Sequence, residues 1–158
     1  DGRVGAIRKA LDKRNFQNVS ILSYAAKYAS SFYGPFRDAV GSKMNLKTDK
    51  KTYQMDFRNS FEVFREVGFD INEGADMIMV KPGMFYLDLI SKIKKNFNIP
   101  VLAYQVSGEY SLIKNGIQKE ILNKEAIMES ILSFKRAGAC AIITYFALEI
   151  AKKIKSNR

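Results

Sequence analysis

Short apolar, β-prone runs alternate along this chain with amphipathic helical stretches, the order expected of an α/β chain built on a parallel sheet. The runs are Val19 to Ala26, Met77 to Val80, Pro100 to Val106 and Ala141 to Phe146. Helical periodicity fills the intervals. Ile7, Ala10 and Leu11 recur within Val4 to Arg14, and Phe61, Phe64, Val67 and Ile71 within Ser60 to Asn72. Leu87, Ile90 and Ile93 repeat the three- and four-residue step within Tyr86 to Asn96. The clearest helix has Asn123 as its N-cap, carries Ile127, Ile131 and Phe134 as its stripe and stops at Gly138. A last helix, Leu148 to Lys155, follows the fourth run.

A weak internal repeat narrows the architecture. Glu73-Gly-Ala-Asp-Met-Ile-Met-Val and Arg136-Ala-Gly-Ala-Cys-Ala-Ile-Ile both pass from a helix end through glycine into a strand. That recurrence suits a TIM (β/α)8 barrel, of which four parallel strands with helices make about half. A doubly wound sheet is the competing arrangement, but no glycine-rich phosphate fingerprint follows the first strand. The 158 residues suit a single domain, 1–158. The opening Asp1-Gly-Arg-Val begins abruptly at a helix entry without methionine, so the expectation is a piece of a longer protein.

Charge and composition exclude several function classes. The net charge of +10 raises nucleic acid as a partner, but the lysines lie at helical spacing, and solvated helix faces account for most of them. Lys43 to Lys51 and the tail Lys152-Lys153-Ile154-Lys155 are the denser spots, and a local positive field there suits a carboxylate substrate. No apolar stretch is long enough to span a bilayer, and the amino terminus reads as neither signal nor transit peptide; the expectation is no membrane and no secretion. Cys140 is the one cysteine, which favours a reducing compartment; its parity with Ile142 makes it buried and inert. The absence of histidine removes serine-type triads, histidine acid/base work and most zinc sites. Lysine, tyrosine, carboxylate and hydroxyl chemistry remain.

Two lysines stand out, each closing an apolar run: Lys27 after Ile-Leu-Ser-Tyr-Ala-Ala, and Lys81 before Pro82-Gly83. An ammonium at the mouth of a buried strand costs several kcal/mol unless something compensates. The chemistry that rewards it is a Schiff base with a carbonyl substrate; the bland alternative is a lysine that snorkels from the rim. Two ammonium groups about 6 Å apart repel by roughly 3 kcal/mol at an effective dielectric near 20, which favours a neutral amine on one of them.

Strand alternation places Met77, Met79 and Lys81 on one face, and likewise Ser23, Ala25 and Lys27. Val101, Ala103, Gln105 and Ser107 group together, as do Ile143 and Tyr145, while Ile78, Val80, Leu102, Tyr104 and Ile142 are expected under the helices. Polar residues thus gather at the carboxyl ends of strands, where barrel active sites form. The segment Ser30-Ser-Phe-Tyr33-Gly-Pro-Phe36-Arg37-Asp38 reads either as a packed loop or as a flap offering a phenol, a ring and a guanidinium. Tyr104-Gln-Val-Ser107-Gly-Glu-Tyr110 offers a hydroxyl and backbone donors.

These segments resemble the porphobilinogen synthase (5-aminolevulinate dehydratase) family, carboxyl-terminal half. The likeness runs through residues 1–8, 23–39, Lys50-Lys-Thr-Tyr-Gln-Met-Asp56, Glu73 to Met84, Ala103 to Tyr110 and Lys135 to Ala139. The resemblance implies a lyase that condenses two molecules of 5-aminolevulinate to porphobilinogen in haem biosynthesis. It implies that Lys81 forms the Schiff base and that Lys27 is the second active-site lysine. Arg37, Lys50 and Gln54 would grip one substrate carboxylate, Ser107 and Tyr145 the other, with Tyr33 and Phe36 as pocket walls. A diacid intermediate needs cations and hydroxyls at both ends, so the pattern is chemically coherent.

Glu66 matches a glutamate that anchors an allosteric hydrated magnesium ion, Mg2+, in some members; a helix-surface glutamate is the blander reading. Catalytic zinc (Zn2+) or magnesium is expected only in the family's amino-terminal half, which this sequence does not contain. The resemblance also implies a homo-oligomer, an octamer in the intact family, working in cytoplasm or plastid. Two departures stand out: Lys50 where many members have arginine, and Phe85 where proline is common. Two other readings compete, a class I aldolase-like Schiff-base lyase and an inactive half-barrel acting as an assembly module.

Overall fold

A computed structural model of the chain describes residues 2–39 and 52–156. Four strands form one parallel sheet in sequential order: β1 (Leu22–Lys27), β2 (Met77–Lys81), β3 (Val101–Tyr104) and β4 (Ala141–Ile143). Helix α1 (Arg3–Asp12) precedes β1. After β1 come a 3₁₀ turn (Ser31–Tyr33), α2 (Gly34–Ala39) and α3 (Glu62–Asn72). Helix α4 (Leu87–Asn96) joins β2 to β3; α5 (Ser107–Gln118) and α6 (Glu125–Ala137) join β3 to β4; α7 (Ala147–Ser156) closes the described chain.

The helices form where an apolar stripe meets suitable ends. In α4, Leu89, Ile90 and Ile93 are buried, Asp88 lies in the first turn and Lys94 and Lys95 in the last, matching the helix dipole. Helix α6 buries Ile127, Ile131 and Phe134 and stops where Gly138 turns left-handed, at φ 110°. The expected N-cap, Asn123, falls one residue early: Lys124 takes that place and the helix begins at Glu125. Helix α5 went unread in the sequence, although Ile113 and Ile117 lie four residues apart on it.

One core holds the sheet and helices together. Ala26, Ile78, Val80, Val101 and Ala103 project from the strands against Val63 and Val67 of α3, Leu89, Ile90 and Ile93 of α4, and Ile131 and Phe134 of α6. Each such aliphatic side chain contributes about 1.5–3 kcal/mol by leaving water. The helices of this core cover one face of the sheet, so the architecture is an arc of an α/β barrel rather than a doubly wound sheet.

The register corrects three sequence expectations. Val80 pairs with Ala103 and Met79 with Leu102, so Val101, Ala103 and Gln105 face the helices, and Leu102 and Tyr104 share the face of Met79 and Lys81. Gln105 is fully buried, donating to Ser130 Oγ of α6 and accepting from Thr144 after β4. In β1 the register shifts between Ser23 and Ala26. Ser23 therefore pairs with Ile78 and donates to Asp70 of α3, on the face opposite Lys27. Cys140 is exposed, not buried, because it precedes β4, whose only partner among the described residues is β3.

Candidate active site

Lys27 and Lys81 are register partners at the carboxyl ends of β1 and β2. The two chains stay tied beyond the strands, where the Tyr28 amide donates to the Lys81 carbonyl at 2.9 Å. Both lysines are half-buried. The Lys81 ammonium lies 4.0 Å from the centroid of the Tyr104 ring, 5.3 Å from that of Tyr24 and 5.9 Å from that of Tyr33. Three ring faces within about 6 Å supply a partial negative field without fixing the nitrogen's direction.

After Lys81 the chain turns sharply. The Lys81–Pro82 peptide is cis, and Gly83 leaves no room for a side chain: a Cβ would stand 2.6 Å from Phe134 Cε1 and 3.1 Å from the Tyr104 carbonyl oxygen. The loop carrying the lysine is thus seated on the helix core and on β3 at once.

The segment after β1 folds back over this mouth. Tyr33 is buried, and its hydroxyl lies 3.0 Å from the Tyr28 carbonyl and 3.2 Å from that of Lys81, able to donate to either. Phe32 lies with its backbone on Gly108, where a Cβ would come within 2.3 Å of the Phe32 carbonyl oxygen. The Phe36 amide donates to Ser107 Oγ at 3.1 Å, and the Phe36 ring stays half exposed. Arg37 follows in α2. Lys50 lies outside the described residues. Ser107, itself buried, opens α5.

Gln54 reaches the lysines from a later loop. The Met55 amide donates to the Lys27 carbonyl at 3.0 Å, extending the edge of β1 and setting Gln54 beside it. Gln54 is 7% exposed, and its Oε1 is buried without a hydrogen-bond partner among the described residues. It lines a cleft of about 540 Å³ with Lys27, Tyr24, Glu62, Glu66 and Asp70. Glu66, half-buried on α3, accepts from Arg65 Nε at 3.2 Å. Among the described residues no group of three or more acidic or cysteine side chains is arranged to hold a metal; Glu66 offers one oxygen donor group, with Glu62 and Asp70 one turn to either side.

Tyr145 lies just past β4 and is 50% exposed. It meets Tyr110 of α5 at 5.4 Å between ring centroids and lies near the Tyr104 hydroxyl. Burial raises the Tyr104 hydroxyl above the ordinary tyrosine range, helped by Tyr145 and Tyr24. The structure therefore brings Lys81, Lys27, Tyr33 and Tyr145 around one mouth, with Ser107 held on the flap through Phe36. Sequence reading missed Tyr24 and Tyr104 as partners of Lys81, and it missed Glu109. This fully buried carboxyl in α5 is pushed up to about 7 by burial, against backbone donors from Val106, Met84, Gly83 and Phe85. Glu109 stands three residues after the N-cap Val106, the capping-box spacing, but valine offers no capping oxygen, so the sequence carried no such signal.

Comparison with known proteins bears on the family and the fold. The family model described as delta-aminolevulinic acid dehydratase matches residues 1–153. The chain is 56% identical over 155 residues to delta-aminolevulinic acid dehydratase of Rhodobacter capsulatus, covering 98% of this chain and 47% of that protein. It is 54% identical over 155 residues to the chloroplastic enzyme of Pisum sativum, covering 98% and 39%. A crystal structure of delta-aminolevulinic acid dehydratase (porphobilinogen synthase) from Toxoplasma gondii ME49, in complex with the reaction product porphobilinogen, superposes with a TM-score of 0.92. That match has 54% identity and covers 96% of this chain and 44% of the other. This chain thus spans about half the length, or less, of the relatives it matches. It belongs to the delta-aminolevulinic acid dehydratase family.

Proposed function

We propose that this chain carries the imine-forming part of a porphobilinogen synthase, which joins two molecules of 5-aminolevulinate. The observation that carries this reading is the pairing of Lys27 with Lys81 at two adjacent strand ends, beneath a flap held to Ser107. A neutral Lys81 amine adds to the ketone carbon of 5-aminolevulinate; water leaves and a C=N bond forms. The rings of Tyr104, Tyr24 and Tyr33 suit the cationic imine as well as the ammonium.

In this reading Lys27 holds the second substrate, and Arg37, Lys50 and Gln54 receive one carboxylate. The Gln54 Oε1, without a partner among the described residues, is an acceptor and supports a donor such as a substrate amino group there, while the carboxylate would meet the Gln54 NH2 and the cations. Ser107 and Tyr145 receive the other carboxylate, with Tyr33 and Phe36 as walls. The family depends on metal ions. Glu66, a single half-exposed carboxylate beside Glu62 and Asp70, fits a magnesium ion held largely through water, which would act on assembly rather than on bond making. The family likeness alone carries the expectation of a homo-oligomer. No described helix is long and apolar enough to cross a membrane, and bacterial and chloroplastic relatives support an enzyme of cytosol or plastid.

The test is borohydride trapping of the folded chain with 5-aminolevulinate, followed by peptide mass mapping. A reduced adduct on Lys81 is the expected result. A sugar phosphate trapped instead would favour an aldolase-like lyase. No adduct on a chain still folded by circular dichroism would defeat imine formation by these residues alone.

A further inference from the structure

Glu109 is fully buried, and its two oxygens serve two different parts of the chain. Oε2 accepts from the Val106 amide at 2.8 Å, closing the first turn of α5. Oε1 accepts from the Met84 amide at 2.8 Å, in the loop that follows Lys81. The amides of Gly83 and Phe85, on either side of Met84, lie close enough to favour the charged form of the same carboxylate. Consecutive backbone N–H groups of this kind make a concavity with positive partial charge, which binds anions. Here the protein fills it with its own side chain.

An ordinary cap would need only the Val106 bond. The bond to Met84 instead fastens the lysine-bearing loop to the helix that starts at Ser107. Nearby contacts leave that loop one seat. Gly83 is wedged between Phe134 and the Tyr104 carbonyl, and Phe85 stacks on Phe32 of the flap with ring centroids 4.6 Å apart.

We propose that Glu109 is a positioning residue that locks the loop after Lys81 onto the start of α5, so that the Lys81 amine and the Ser107 hydroxyl keep a fixed spacing. This rests on the imine chemistry proposed above, but its test separates the two. Glu109→Gln keeps the volume and sets an NH2 donor against backbone donors. Glu109→Asp keeps the charge on a shorter arm.

Amide hydrogen exchange at residues 83–85, corrected for intrinsic rates and compared with the core amides of β2 and β3, reads the loop directly. At pH 8, where the Glu109 carboxyl is ionised, the glutamine variant should exchange there about tenfold faster, as loss of a hydrogen bond to a charged group implies, while the core amides stay unchanged. The rate of adduct formation on Lys81 at saturating 5-aminolevulinate should fall about as much, with half-saturation moving less than about twofold. The aspartate variant should recover part of both. Unchanged exchange at 83–85 in a folded glutamine variant would overturn the proposal, and so would equal acceleration throughout the chain. If the unmodified chain forms no adduct, the imine reading fails, and the exchange comparison alone still decides what Glu109 seats.

Discussion

The ammonium of Lys81 stands 4.0 Å from the centre of the Tyr104 ring, one step beyond the Val80–Ala103 pair of the β2–β3 ladder. Parallel pairing brings the two side chains to one face, and the end of β3 at Tyr104 leaves the ring under the nitrogen. An aromatic face attracts a cation by about 0.5–2 kcal/mol, which steadies the lysine without locking its reactive direction.

Removing Lys81 and Tyr104 singly and together should therefore reveal coupling. Urea unfolding of Lys81→Met, Tyr104→Leu and the double variant is expected to give an interaction of about 1 kcal/mol. Tyr104→Phe, which keeps the ring, should retain most of it. Strict additivity in the leucine cycle would mean that the ring does not hold the lysine.

Gln54 carries a buried acceptor that no described group satisfies. Leaving such a group unpaired costs about 1–3 kcal/mol, so Gln54→Met should raise the stability of the free chain by roughly that amount. The same change should weaken capture of 5-aminolevulinate, measured as the concentration needed for half-maximal borohydride trapping. A methionine variant less stable than the parent would show that the carbonyl already has a partner.

Glu109 makes stability depend on pH in a defined sense. Its carboxyl titrates at about 7 when folded, against about 4.3 in an unfolded chain. The folded state thus holds this proton more tightly, and the stability it brings is fully present below about pH 4 and lost as pH rises to about 7. The loss amounts to about 4 kcal/mol. The titratable neighbour Tyr86, raised above the ordinary tyrosine range by burial and then by Glu109, stays neutral throughout. Urea midpoints at pH 5 and pH 8 should differ in the parent chain and converge in Glu109→Gln. An equal pH slope in both would assign the effect to another group.

Much of the site was legible because its signals are local. Lysine closing an apolar run, followed by Pro82-Gly83, marks a strand end whatever surrounds it, and Lys27 and Lys81 are indeed register partners. The stripe of α6 and its stop at Gly138 were equally readable, since helix period and left-handed backbone are properties of a short stretch. The faces of β3 were not. Its two faces are both largely apolar, so alternation alone carried no sign of which one meets the helices. Ser23 was misplaced for a related reason: a bulge changes the phase of a strand without changing its composition.

The sequence by itself determined the order of strands and helices, their parallel pairing and the positions of the two strand-end lysines, because periodicity and chain punctuation act over a few residues. Tertiary structure alone decided which face each strand turns inward, that the Tyr104 ring lies under the Lys81 ammonium, and that Glu109 at the start of α5 holds the Met84 amide 25 residues before it. Those outcomes depend on register and on competition for buried volume and backbone donors, which are settled only when distant segments meet.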